Sequence, residues 1–329
     1  MTRLRKVTPR MKGWTRRRAG KGFTYRDADG RALGPDDVAR IKALAIPPAW
    51  TDVWICPIAN GHIQAVGTDA AGRRQYLYHP AWRTRRDQEK FDRVSAAARR
   101  LPRARRRVAA DLRAEGMPLE RASAIAVRLL DLGYFRIGSD AYADANGSFG
   151  LTTLRRQHVR RVGKALVFRF VGKSGVEHTI EIDDADIIEA VAVLRARRGA
   201  SDRLLAYQLE RRWSDLDAAA VNAYLSDVMG GDLTAKDFRT WHATVLAAAA
   251  LAASTEAGDT AASRKRAVKA AIEEVAGYLG NTPTIAKNSY IDPRVLDRYE
   301  SGTVISLPRA KAPARRQAAL ERAVLALLG

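Results

Sequence analysis

A tyrosine that follows two closely spaced helix boundaries is the first side chain here that could do chemistry. Apolar residues recur upstream of it at helical spacing: Val268, Ala271, Ile272, Val275, Ala276 and Leu279. Gly280 is the expected end of that helix, so Asn281 should lie at an exposed corner. Thr282 and Pro283 are the expected cap and first position of a second helix. Tyr290 follows, and its phenol oxygen is our candidate nucleophile, although a packed, half-buried ring is the commoner role of a tyrosine.

Three cationic side chains fall near the predicted ends of other elements. Gly133 should end a helix whose apolar stripe precedes it, which places Arg136 just beyond that end. Lys173 lies at the expected tip of a β-hairpin, where a lysine is normally only solvated. Thr234 is the expected N-cap of an alanine-rich helix, so Arg239 should lie near its start.

The Gly-Lys-Ser sequence around Lys173 does not predict nucleotide binding. A phosphate-binding loop would need a glycine at position 167, where Val167 stands, and a helix after the motif, where a strand is predicted. We therefore expect no nucleotide and no cofactor. The single cysteine, Cys56, excludes an intramolecular disulfide and a cysteine-rich zinc site, and the five histidines show no ligand spacing, so we expect no metal.

The charge balance indicates a polyanionic partner, with nucleic acid first. The 329 residues include 57 Lys and Arg against 36 Asp and Glu, a formal charge of +21. This length suits two domains. No apolar stretch approaches the roughly 20 residues of a membrane span. The first 21 residues are basic without an apolar core, unlike a secretory signal, so we expect a cytoplasmic protein associated with the nucleoid.

The chain divides by pattern into four parts. Residues 1–21 hold nine basic and no acidic residues, which predicts an arm that is mobile unless phosphates order it. Residues 22–82 read as a β-rich domain, residues 83–90 as a hinge, and residues 91–329 as a mostly helical catalytic domain. A hairpin is expected within residues 152–182, where the apolar period changes to two.

The β-rich domain carries a candidate DNA-contacting strand. By the period of two, Arg74, Tyr76 and Tyr78 share one face. An ordinary solvated sheet face is the alternative. DNA contact is favoured because a basic run follows directly. It consists of Arg83, Arg85 and Arg86.

Several of these segments occur in the order found in one enzyme family. They are Tyr134-Phe-Arg136-Ile-Gly, Gly150-Leu-Thr-Thr-Leu, Val171-Gly-Lys173, Lys236-Asp-Phe-Arg239-Thr-Trp, and Leu279-Gly-Asn-Thr-Pro-Thr-Ile-Ala-Lys-Asn-Ser-Tyr290. Together they resemble the type IB DNA topoisomerases of the compact bacterial and poxvirus kind, along nearly the whole chain.

The resemblance implies an α+β fold that forms a C-shaped clamp around duplex DNA. A small N-terminal β-sheet domain would join a larger, mostly α-helical catalytic domain that carries a short three-stranded sheet. The implied enzyme is a monomer that uses neither metal nor ATP. It relaxes supercoiled DNA through a 3′-phosphotyrosyl link and a free 5′-hydroxyl.

The resemblance also implies a role for each candidate residue. Tyr290 would be the nucleophile, Arg136 and Arg239 would hold the scissile phosphate, and Lys173 would protonate the leaving oxygen. Planar guanidinium forks suit the charged oxygens of a phosphoryl transition state. Many relatives have a histidine where this chain has Asn281, whose amide can donate a hydrogen bond but cannot shuttle protons. In the N-terminal domain, the implied DNA contacts are Gln75, Tyr76 and Tyr78.

Two alternatives stay open from the sequence. A tyrosine recombinase or integrase shares the chemistry, but such proteins usually have His-x-x-Arg where this chain reads Lys236-Asp-Phe-Arg239. Their N-terminal region is also helical, whereas a sheet is predicted here. A non-enzymatic DNA-binding protein would need no more than the charge of +21.

Overall fold

The chain forms two compact units, of which the first runs to Phe91 and the second begins at Asp92. The computed structural model describes residues 3–140, 143, 147–199, 201–210, 212–231, 233–254 and 260–329. Within these residues, none of the helices is both long and apolar enough to cross a membrane.

The first unit is built on a five-stranded antiparallel sheet with one helix packed on it. In chain order its elements are β1 (Trp14–Ala19), β2 (Gly22–Arg26), α1 (Pro35–Ala43), β3 (Thr51–Ile55), β4 (Ile63–Thr68) and β5 (Arg74–Tyr78). The strands lie in the order β2-β1-β3-β4-β5. Alternate residues of the central strands, such as Ile55 and Ala65, point to one face and meet Ile41 of α1 in a small core.

The N-terminal segment is part of this sheet, which corrects the prediction of a mobile arm over residues 1–21. Residues 14–19 form β1, which pairs with both β2 and β3. The Arg16 guanidinium donates hydrogen bonds to the carbonyls of Ile46, Pro47 and Trp50 and lies 4.2 Å from the ring centroid of Phe23. Composition suggested disorder, but ladder hydrogen bonds and a partly buried Trp14 give this segment partners. Residues 1 and 2 lie outside the described residues.

The hinge predicted at residues 83–90 is instead helical. Helix α2 (Pro80–Ala98) runs without interruption from the first unit into the second. Two of the basic residues on this stretch, Arg85 and Arg86, form ion pairs with Glu89 one turn later. These pairs support a helix where the change from a β-like to a helical pattern had suggested a hinge.

The second unit is mostly helical and carries a three-stranded antiparallel sheet, which confirms the predicted α+β fold class. Its elements are α3 (Leu101–Asp111), α4 (Leu119–Gly133), β6 (Val159–Val162), β7 (Ala165–Val171), β8 (Glu177–Ile182), α5 (Ala185–Ala196), β9 (Ala206–Leu209), β10 (Arg212–Asp215), α6 (Ala218–Met229), α7 (Ala235–Ala253), α8 (Ala261–Leu279), α9 (Pro283–Ser289), α10 (Pro293–Glu300) and α11 (Pro313–Leu328). Strand β7 lies between β6 and β8, and β9 and β10 form a separate hairpin.

The helix ends that carry the candidate residues lie where the sequence predicted them. Helix α4 ends at Gly133, and the next residue, Tyr134, adopts the left-handed conformation with a φ of 55°. Helix α7 begins after Thr234, and helix α8 ends at a left-handed Gly280 with a φ of 57°. The hydroxyl of Thr282 accepts a hydrogen bond from the backbone N–H of Ile285 and caps α9.

A buried ion cluster fastens the last helix to the catalytic unit. The Arg105 guanidinium donates paired hydrogen bonds to Asp131 of α4 and to Glu321 of α11, at 2.7 to 2.8 Å. Burial alone would raise the pKa of Asp131, but Arg105 and then His242 hold it well below its usual range. The cluster therefore depends on an ionised Asp131.

We predict that Arg105→Ala lowers the free energy of unfolding by about 3 to 5 kcal/mol, because it leaves two buried carboxylates unpaired. Arg107→Ala on the same helix is the control, since it removes only the ion pair between an exposed guanidinium and Asp111 and should cost much less. Denaturant unfolding measures both.

The difference between the Arg105 variant and the wild type should shrink in acid. A depressed carboxyl pKa contributes stability above the ordinary carboxyl pKa, and that contribution is lost as the pH falls through the depressed value. Equal losses for the two variants at neutral pH would contradict the role of the cluster.

Candidate active site

Four of the five predicted catalytic residues meet where the ends of α4 and α8 approach α7. Arg239 on α7 donates one hydrogen bond to the carbonyl of Tyr134 and another, of 2.7 Å, to the carbonyl of Leu279. Its guanidinium carbon lies 5.6 Å from the ring centroid of Tyr290. The nucleophile candidate and one phosphate-binding candidate are therefore neighbours.

Arg136 reaches the same place from the segment that follows α4. Its guanidinium donates to the side-chain oxygen of Asn281 and, at 3.3 Å, to the backbone carbonyl of Gly280. Burial, and then the charge of Arg136, lower the pKa of Arg239 to about 10. The Arg239 guanidinium therefore remains charged at neutral pH, and with Arg136 beside it the site concentrates positive charge.

Tyr290 lies at the end of α9 with only 7% of its surface exposed. The backbone here is held by Thr244 of α7, whose hydroxyl accepts from the N–H of Asp292 at 3.1 Å. The single proton of this hydroxyl is shared between the carbonyl of Thr240 at 2.9 Å and the carbonyl of Tyr290 at 3.3 Å. Burial would raise the pKa of the Tyr290 phenol, but the positive charges of Arg239, Arg136 and Lys236 lower it below its ordinary value. A lowered pKa favours the phenolate, which is the attacking form.

Three buried donors near Tyr290 have no hydrogen-bond partner among the residues that the structure describes. They are the Nε atoms of Arg136 and Arg239 and the Nδ2 atom of Asn281. Buried donors are normally paired, so this group in one place marks a site for a bound acceptor. Because the donors belong to two guanidinium groups and an amide, an anion with several oxygens fits best.

Lys173, the fifth predicted catalytic residue, lines a groove together with Arg136 of this cluster. It begins a short turn, Lys173–Gly175, at the tip of the β7–β8 hairpin. Together with Arg136 it lines a groove of about 620 Å³, whose floor includes Phe149 and Gly150. The groove therefore places Lys173 and Arg136 around one cavity.

Lys236 and Thr244 are functional candidates that the sequence reasoning missed. Lys236 lies three residues before Arg239 on α7, so the two share a helix face, and its charge acts on Tyr290. That spacing was visible in the sequence. The contact of Thr244 with the backbone at Tyr290 was not, because 46 residues separate them.

His178 is a third residue that the sequence reasoning did not select. Its ring stacks on Phe170 at 5.2 Å and lies against two glycines. A Cβ atom would come within 2.6 Å of this ring at Gly172 and within 2.5 Å at Gly280. Burial, and then Arg239 and Arg136, lower the pKa of His178, so the imidazole is neutral at neutral pH. It thereby joins the Lys173 hairpin to the turn that holds Asn281.

His242, which lies three residues after Arg239 on α7, is a core residue. It is 2% exposed, and its Nε2 atom lies 3.2 Å from a carboxylate oxygen of Asp131. Its ring packs edge-on against Tyr134 at 5.0 Å. Among the described residues, no cluster of His, Cys, Asp or Glu could hold a metal ion.

The predicted DNA-contacting residues of the first unit are mostly exposed. Tyr76 and Tyr78 stack on each other on one face of β5, with ring centroids 6.1 Å apart, and Arg74 shares that face. Gln75 points to the other face, and its amide donates to Asp69 at 2.8 Å. Of the basic run on α2, Arg83 is exposed as well.

The comparisons with known proteins agree with this geometry. Residues 79–307 match the family described as eukaryotic DNA topoisomerase I, catalytic core, and residues 22–69 match the bacterial DNA topoisomerase IB N-terminal domain. A DNA topoisomerase 1B of Acanthamoeba polyphaga mimivirus is 30% identical over 303 residues, 88% of each chain. A DNA topoisomerase 1B of vaccinia virus (strain Copenhagen) is 23% identical over 290 residues, 84% of this chain and 87% of that relative.

These matches decide between the classes that the sequence left open. A recombinase and a non-enzymatic DNA-binding protein are both set aside, because one family accounts for both units of the chain. The first match covers most of the second unit, and the mimivirus relative aligns with nearly the whole chain. The chain therefore belongs to the type IB DNA topoisomerases.

Proposed function

We propose that this enzyme relaxes supercoiled duplex DNA by breaking and rejoining one strand through a 3′-phosphotyrosyl intermediate at Tyr290. The observation that carries the proposal is the group of three unpaired buried donors beside Tyr290, on Arg136, Arg239 and Asn281. A phosphodiester would supply the acceptors that these donors lack.

In the cleavage step, the phenol oxygen of Tyr290 bonds to the scissile phosphorus while the bond from phosphorus to the 5′ oxygen breaks. The phenol gives up its proton, and the 5′ oxygen takes one. The new ester conserves the energy of the broken one, so the 5′ hydroxyl can reverse the step without ATP. Rotation of the free end between the two steps would relax the DNA.

The two arginines would bind the nonbridging oxygens of the phosphate. Both are held by backbone carbonyls before DNA binds, so little reorganisation is needed when charge develops in the transition state. The side-chain oxygen of Asn281 accepts from Arg136, which leaves its Nδ2 atom for the same phosphate. Asn281 would therefore contribute a hydrogen bond and no proton transfer.

Lys173 would protonate the leaving 5′ oxygen. It lines the groove that also contains Arg136, and an alkoxide is a poor leaving group without a proton. In the first unit, Arg74, Tyr76 and Tyr78 would bind the duplex. We expect a monomer to suffice, because all these groups belong to one chain, and we expect relaxation to persist when divalent metals are chelated.

Tyr290→Phe should abolish plasmid relaxation and covalent adduct formation while DNA affinity stays nearly unchanged, because only the attacking oxygen is lost. Gel assays for relaxed plasmid and for protein-linked DNA measure this. Tyr278→Phe is the matched control, since Tyr278 is exposed on the neighbouring α8 and should keep activity. A covalent adduct in the Tyr290 variant would refute the assignment.

Lys173→Ala should slow cleavage on the order of 10²- to 10⁴-fold on ordinary DNA. The loss should nearly disappear when the leaving 5′ oxygen is replaced by sulfur, which needs no proton to depart. Arg136→Ala and Arg239→Ala should keep most of their loss on the sulfur substrate, because they stabilise nonbridging charge. Single-turnover cleavage of matched substrates measures both, and an unrescued Lys173 variant would remove the general-acid role.

Lys236→Gln should shift the pH dependence of cleavage to higher pH, because the Lys236 charge helps to lower the pKa of Tyr290. The variant should be slow near neutral pH and approach the wild-type rate as the pH rises. Lys287→Gln on α9 is the control, since Lys287 is also close in sequence to Tyr290 but is exposed. A loss that is equal at every pH would contradict this role for Lys236.

A further inference from the structure

The sheet of the first unit has one face that α1 leaves uncovered, which we call the outer face. Cross-strand register places Thr15, Trp54, Val66 and Tyr76 in one row across it. The neighbouring row, with Ile55 and its partners, points towards α1. The outer face therefore carries the exposed tyrosine side chains of β5.

Strand β1 adds an arginine to the outer face, on the far side from β5. Arg17 lies two residues after Thr15, and so points to the same side as Thr15. Arg18 pairs with Phe23 and points to the opposite side. Both arginines are exposed, so adjacent residues present equal charges on opposite faces of one strand.

The segment before β1 crosses the outer face in a fixed path. The indole N–H of Trp54 donates to the carbonyl of Met11 at 3.1 Å. A Cβ atom at Gly13 would overlap the Trp54 ring, so this backbone lies directly on the indole. Further back, the backbone N–H of Arg5 donates to the carbonyl of Asn60, and the backbone carbonyl of Arg5 accepts from the N–H of His62, each at 2.9 Å. These bonds hold the segment in place without a ligand.

This segment is strongly basic and lies outside both family matches. The first 21 residues contain no acid, and the family matches begin only at residue 22. Of their nine basic residues, Arg16 is occupied by three backbone carbonyls. Among the other basic residues, Lys12 is exposed, and it lies between Met11 and Gly13, which both contact Trp54.

We propose that the exposed basic side chains of residues 3–17 form an added DNA-binding strip on the outer face, which binds the duplex backbone beyond the contacts of β5. The proposal rests on the proposed function only in that the substrate is duplex DNA. Three strand spacings of about 4.8 Å separate β5 from β1 in the sheet order, roughly 14 Å or about four base pairs. Because the strip is already ordered, little conformational entropy is lost on binding.

A pair of charge-matched double variants tests the strip. Lys12→Ala/Arg17→Ala removes two charges from the outer face, and Arg18→Ala/Lys21→Ala removes two charges from the opposite face and from the turn after β1. All four side chains are exposed, so folding should be preserved, which thermal unfolding checks. Binding is measured in the full chain with Tyr290→Phe, so that cleavage does not affect the result.

The outer-face variant should bind a labelled duplex on the order of tenfold more weakly, or worse, at about 0.1 M salt. Its slope of log affinity against log salt should fall by about 2, close to 1 for each lost phosphate contact. The control pair should change neither quantity beyond a small general effect. Shortening the duplex by about four base pairs at one end should weaken DNA binding by the parent protein and leave binding by the outer-face variant nearly unaffected.

Equal effects of the two double variants would overturn the strip, because charge placement would then not matter. No dependence on duplex length in the parent protein would overturn it as well. A separate measurement tests the proposed function: if the wild-type enzyme forms no covalent adduct with DNA, that function is wrong. In that case, the binding difference between the two double variants would still test the strip.

Discussion

Two guanidinium groups held side by side in a largely buried site are the feature on which the rest of the catalytic unit depends. Arg136 and Arg239 repel each other, and burial makes each charge harder to keep. Backbone carbonyls at the ends of two helices compensate for this cost. The accepting carbonyls belong to Tyr134, just after α4, and to Leu279 and Gly280 at the end of α8. Carbonyls at a helix end have no partner within their own helix. They also carry the negative end of the helix dipole.

This arrangement explains why the helix ends have their particular conformations. Tyr134 and Gly280 both adopt left-handed backbone angles, which turn the chain sharply after the last helical residue. Gly280 could not carry a side chain, because the His178 ring occupies the space of its Cβ atom. The same ring closes against Gly172 in the hairpin that carries Lys173. The ends of α4 and α8, the β7–β8 hairpin and the turn that holds Asn281 are therefore packed together before any DNA binds.

The regions beyond the family matches are integrated into the fold rather than appended to it. At the start of the chain, β1 lies between β2 and β3, inside the sheet order. At its end, α11 follows the last matched residue, 307, and supplies Glu321 to the buried cluster around Arg105. In that cluster, Asp131 precedes Arg136 by five residues, and its partner His242 follows Arg239 by three. Helix α11 therefore stabilises α4 and α7, the two helices that position Arg136 and Arg239.

Local sequence signals located most of the elements that carry the site. The cap at Thr282, the stop at Gly280 and the alternation along β7 and β8 depend on neighbouring residues, so they could be read from the sequence. The choice of Tyr290, Lys173 and the arginines as a set came from the resemblance of ordered motifs. The resemblance also indicated the α+β class, which the fold and the family matches confirm.

The sequence by itself determined the basic charge, the two-part organisation and the helix and hairpin boundaries, because these follow from composition and short-range periodicity. It did not determine the structure of residues 3–21. Their charge suggested a mobile arm, whereas residues 14–19 of this segment form strand β1, which pairs with β2 and β3. Nor could it show that Thr244 fixes Tyr290 or that three buried donors lack partners. Those facts depend on contacts between residues far apart in the chain, and only the packed tertiary structure brings such residues together.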